Sequence, residues 1–135
     1  MESPLDKLEI YQKEISDDLK INDMTLSDKT FDIPQKKHYW VAKLILEKRE
    51  LLRLERSKKQ LEKEVMKKLQ DDMPVTLSKQ SNKSALNSTQ TMQSINQAIE
   101  DQKLLVEYLE KTEKIFSFIT NDVRNILELK QMELM

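Results

Sequence analysis

The stretch 95-INQAIEDQKLLVEYLEKTEKIFSFITNDVRNI-126 decides the fold. Ile95, Ala98, Gln102, Leu105, Leu109, Thr112, Phe116, Ile119, Val123 and Ile126 follow one another in alternating steps of three and four residues. That is a heptad seam, apolar at all but Gln102 and Thr112, on a helix expected from about Thr91 to Met132. Its flanks are apolar too, at Ile99, Val106, Tyr108, Ile115 and Leu127. A seam so wide fits an oligomeric helical bundle, or packing on another helix of the same chain; the pattern alone leaves both open.

Working outward, residues 76–90 are rich in Ser, Asn, Gln and Thr, including SKQSNKSALNSTQ, and have too little apolar surface to order themselves. They are read as a linker between a helical region over 1–75 and a C-terminal oligomerisation helix over 91–135. A long helix is expected from about Pro34 to Gln70. Asp32-Ile33-Pro34 resembles a helix start, because Pro suits the first turn and Asp favours the positive end of the helix dipole. Trp40, Leu44, Leu51, Leu54, Leu61 and Val65 form its apolar stripe. Glu47, Lys58 and Lys68 interrupt that stripe, so packing is expected along part of its length. A short amphipathic helix covers about Pro4 to Lys20, followed by a polar stretch, Asn22 to Asp32.

Composition closes other possibilities. The 135 residues contain no Gly and three Pro, and are 35% charged. Tight turns with positive φ normally need glycine, so an all-α fold is expected. Phosphate-cradling loops and dinucleotide fingerprints need it as well. No Cys and a single His exclude disulfides, a thiolate nucleophile and a histidine-rich metal site. His38, beside Tyr39 and Trp40, is read as a packing or capping residue. Asp17-Asp18 and Asp71-Asp72 are read as caps or turns. No catalytic residues, cofactor or metal are expected. Neither a membrane span nor a signal peptide is visible, which makes the cytoplasm (a host cell's, if phage-encoded) the expected compartment.

The net charge of −1 hides an asymmetry. Between Lys36 and Lys68 stand twelve Lys or Arg against five Glu, a balance of +7. Lys48, Arg49, Arg53, Arg56, Lys58, Lys59, Lys63, Lys67 and Lys68 are the candidates for contacts to nucleic-acid phosphates. Glu47, Glu50, Glu55, Glu62 and Glu64 lie among them, so an exposed salt-bridged helix is the competing reading. Stacking aromatics are scarce, which would leave backbone contacts with little sequence preference.

The order of elements resembles the UvsY family of recombination mediators from myovirus-type tailed phages. The likeness runs from DLKIND (Asp18 to Asp23) through Tyr39 and ELLRLERSKK (Glu50 to Lys59) to the long C-terminal helix, about Asp18 to Ile126. Its most specific part is Glu50, Arg53, Leu54 and Glu55, followed by Lys58 and Lys59. The resemblance implies a non-enzymatic protein of DNA recombination, repair and replication. It would bind single-stranded DNA and load a RecA-like (UvsX-like) recombinase onto strands coated by single-strand-binding protein. It also implies a ring of six or seven subunits assembled through the C-terminal region, here Leu105, Leu109, Phe116, Ile119, Val123 and Ile126. A Lys-x-Arg pair late in the second helix is implicated in strand contact; Lys63 matches it, Val65 replaces the arginine, and Lys67 and Lys68 follow. A structural coiled-coil adaptor or a prefoldin-like helical chaperone, with no nucleic-acid role, fits the same outline.

Overall fold

The computed structural model describes residues 3–19, 26–72 and 89–134. Three α-helices carry them: α1 (Pro4–Asp18), α2 (Leu26–Asp72) and α3 (Gln90–Glu133). The protein is all-α. Two compact units divide the chain, one of residues 1–47 with 104–135, the other of residues 48–103.

The start of α1 is fixed locally. The Ser3 hydroxyl accepts from the Asp6 amide at 3.1 Å, and the Asp6 carboxylate accepts from the Ser3 amide at 3.4 Å. This capping box satisfies two amides left over at the helix start, and Pro4 occupies a position where a missing N–H costs nothing. At the other end, the Leu19 amide donates to the Ile15 carbonyl at 3.0 Å.

Helix α2 corrects the expected boundary: it begins at Leu26, inside the stretch read as polar and aperiodic, and Pro34 lies within it. A proline removes one i→i−4 hydrogen bond and crowds the preceding turn, costing about 3 kcal/mol. The side chains either side of it offset that cost. Ile33 and Trp40 are both buried, whereas Pro34 itself faces solvent. Burial of two large apolar side chains contributes about 1.5–3 kcal/mol each.

In the first unit the core is Ile15 of α1, Ile33, Trp40 and Leu44 of α2, and Leu105, Val106, Leu109, Phe116 and Val123 of α3. Thr112 is buried with them, its hydroxyl donating to the Tyr108 carbonyl at 2.8 Å. The second unit is thinner. Met92, Ile99 and Gln102 are buried, while Leu51, Leu54, Leu61, Val65, Ile95 and Ala98 are only half-buried. The α2 stripe is thus packed unevenly, tightly at Trp40 and Leu44 and loosely beyond. Thr89 caps α3 by accepting from the Met92 amide at 3.3 Å. The remainder of the expected linker, 76–88, lies outside the described residues.

Candidate nucleic-acid interface

Viewed down its axis, the second-unit part of α2 sorts its charges. Arg49, Leu52, Arg56, Lys59, Lys63 and Lys67 are separated by steps of three or four residues, and all six are exposed. They form one stripe about 27 Å long at 1.5 Å per residue. No acidic residue falls in it. Glu55 and Glu62 are half-buried on other faces. Glu64 is exposed and accepts from the Gln60 amide group at 3.3 Å. Glu50 is half-buried and engaged by Arg53, whose guanidinium donates to both carboxylate oxygens, at 2.9 and 2.6 Å. That bidentate pair pushes the Arg53 pKa above its already high ordinary value, through the hydrogen bonds first and the charge of Glu50 second.

The nine cationic candidates therefore divide. Arg49, Arg56, Lys59, Lys63 and Lys67 share the acid-free stripe. Arg53 is exposed at its edge but already holds a carboxylate. Lys48 and Lys68 are exposed to either side of the stripe, and Lys58 is half-buried toward the packed face. Of the two positions that the resemblance singled out, Lys63 lies on the stripe and Val65 does not. Val65 is half-buried and turned away, whereas Lys67, one turn beyond Lys63, lies beside it on the stripe. Leu52, 52% exposed between Arg49 and Arg56, is the member that a count of charges misses.

In the first unit, Glu47, which interrupts the apolar stripe of α2, is a satisfied polar group. Glu47 is 5% exposed and accepts from the Lys7 ammonium and the Tyr11 hydroxyl, both at 3.4 Å. Burial, then the charge of Glu47, pushes the Tyr11 pKa up to about 12. Burial likewise raises the Tyr108 pKa, against the lowering effect of its contact with Thr112. Asp18, expected as a cap or turn residue, accepts from the Trp40 indole N–H at 2.9 Å and pairs with Lys36 at 3.4 Å. Trp40 packs edge-on between Tyr11 and Tyr39, with centroids 5.5 and 5.0 Å away, so it is a core residue and no stacking platform. The Lys43 ammonium sits 5.3 Å from the Tyr39 ring centre. His38 is exposed.

The six oligomerisation candidates on α3 also divide. Leu105, Leu109, Phe116 and Val123 are enclosed by their own chain, Ile119 is half-buried, and Ile126 is exposed. Other apolar side chains of the same helix reach solvent instead: Leu104, Ile115, Phe118, Leu129 and Met132. Among the described residues no cluster of His, Cys, Asp or Glu could hold a metal ion. None of the described helices is long and apolar enough to cross a membrane.

These features define a class: an all-α protein of one short and two long helices, with an exposed cationic stripe and an apolar outer face. No family model matches the chain, and no curated protein matches it either. In fold it is similar to crystal structures of the bacteriophage T4 recombination mediator protein UvsY. The type IV lattice form gives a TM-score of 0.81 at 18% identity, covering 93% of this chain and 98% of that one. The type II form gives 0.80 at 18% identity, covering 95% and 98%. At that identity the likeness is one of fold.

Proposed function

We propose that this protein binds single-stranded DNA without catalysis, as a homo-oligomer, and mediates loading of a RecA-like recombinase onto strands covered by single-strand-binding protein. The observation that carries the reading is the acid-free stripe of Arg49, Arg56, Lys59, Lys63 and Lys67 on a fold shared with a recombination mediator. Phosphates bind where cations are dense and counter-ions are released on contact. Five cations over about five turns, unopposed on their face, meet that condition better than the interleaved sequence suggests. With no aromatic in the stripe, contacts fall on the backbone and sequence preference is small. One stripe binds weakly; repeating it around an oligomer raises the effective concentration of sites on one strand.

The test is binding to a fluorescent single-stranded oligonucleotide, with particle size followed by light scattering. Reversing Arg49, Arg56, Lys59 and Lys63 together to Glu abolishes binding and leaves the particle intact. Undiminished affinity in that variant, or no binding by the unaltered protein at low salt, refutes the reading and favours a protein-only adaptor.

A further inference from the structure

The cationic stripe of α2 carries one side chain that cannot pair with a phosphate. Leu52 stands in line between Arg49 and Arg56 and is 52% exposed, and every other member of the stripe is a cation. A single exposed leucine is ordinary on a protein surface. The setting of this one is not. On a helix, a residue's surface neighbours stand three and four positions away. For Leu52 these are Lys48, Arg49, Glu55 and Arg56. Lys48, Arg49 and Arg56 are exposed, and Glu55, the acid among them, is half-buried. All of these residues belong to the second unit.

A ligand that fits this arrangement has anionic groups with an apolar or flat surface between them. Arg49 and Arg56 are about 10.5 Å apart along the helix axis, with Leu52 near the middle. A single nucleic-acid strand has that character: phosphates in series, each with a base whose face is open once the strand is unpaired. Duplex DNA does not. Its phosphates can be reached, but its base faces are stacked inside, and a helix lying along the backbone meets sugar and phosphate. An anionic membrane surface also sets charge beside an apolar interior. It takes helices with a broad apolar face, however, and the stripe has a single apolar member among six.

We infer that Leu52 is the base-contacting residue of the stripe and gives it a preference for single over double strands. Arg49 and Arg56 hold phosphates on either side, and a base of the strand between them lies on the Leu52 side chain. The aliphatic stems of both arginines widen this apolar seat, while their guanidinium groups stay at the phosphates. The contact tolerates any sequence, because it uses the face of the base and not its hydrogen-bonding edge. It releases no counter-ion, so it adds affinity without adding to the salt dependence. That property separates Leu52 from the cations beside it.

The inference rests on the proposed function, and one experiment tells their failures apart. The full chain and its Leu52→Gln variant are titrated against three fluorescent probes of equal length. These are a mixed-sequence single strand, its duplex, and an abasic strand that keeps sugar and phosphate alone. Gln matches Leu in length and in helix propensity and replaces the apolar end with an amide. Leu52→Gln is expected to weaken binding of the base-bearing single strand at least about fivefold, the effect of one partly buried leucine side chain. Binding to the duplex and the abasic strand stays within about twofold, and the salt slope and particle size do not change. An unaltered protein that binds none of the probes refutes the proposed function and this inference with it. An unaltered protein that binds, beside a Leu52→Gln variant that binds equally well, overturns this inference alone. So does an equal loss on all three probes, a changed particle size, or a loss seen only on vesicles of anionic lipid in a co-sedimentation assay.

Discussion

The indole N–H of Trp40 donates to the carboxylate of Asp18 at 2.9 Å, joining the last turn of α1 to the middle of the first unit's core. Trp40 is 1% exposed, so this N–H has no water to turn to. Asp18→Ala therefore leaves a buried donor unpaired and frees Lys36. The expected loss is about 1–3 kcal/mol of unfolding free energy, read from urea denaturation followed by tryptophan fluorescence. Asp18→Asn, which keeps an acceptor, loses less.

Tyr11 should titrate late. Its hydroxyl ionises at about 12 instead of the usual 10.0, because burial and Glu47 disfavour the phenolate. A raised folded pKa means stability fully present below pH 10 and lost as the pH climbs through 12. An absorbance titration near 295 nm, compared with Tyr11→Phe, isolates this group. In Glu47→Gln the midpoint falls but stays above the ordinary value, because burial, the larger cause, remains. A midpoint at the ordinary value in the unaltered protein would contradict the packing of α1 described here.

Phe116 and Phe118 lie two residues apart and face opposite fates. Phe116 is fully buried and Phe118 is 69% exposed. Phe116→Asp buries an unpaired carboxylate in place of a ring and costs at least about 3–5 kcal/mol, so the chain unfolds or melts far earlier. Phe118→Asp leaves the unfolding free energy within about 0.5 kcal/mol of the unaltered protein. Circular dichroism melts separate the two outcomes.

Much of this was legible in the sequence, though not evenly. The buried seam of α3 was readable because ten positions repeat without a slip, and its polar members Gln102 and Thr112 are indeed buried. The start of α2 was not. Pro34 and Asp32 imitate a helix start locally, and only the burial of Ile33 and Trp40 carries the helix through them. Glu47 read as a flaw in the apolar stripe, because its partners Lys7 and Tyr11 are supplied by another helix. The basic stripe was half visible. Counting along the chain interleaves Lys and Glu, whereas about 100° of rotation per residue separates them. At the far end of the α3 seam the pattern overstates burial, because Ile126 is exposed.

Two adjacent lysines test directly whether single-stranded DNA lies along the basic stripe of α2. Lys58 and Lys59 differ by one residue and so by about 100° around α2, the first half-buried off the stripe, the second exposed on it. Single-stranded DNA affinity is measured across a salt series for Lys58→Gln and Lys59→Gln. Lys59→Gln is expected to weaken binding and make the salt slope about one unit shallower per chain engaged, while Lys58→Gln leaves the slope unchanged. Equal effects from both, or an effect from Lys58→Gln alone, would show that DNA does not lie along this face.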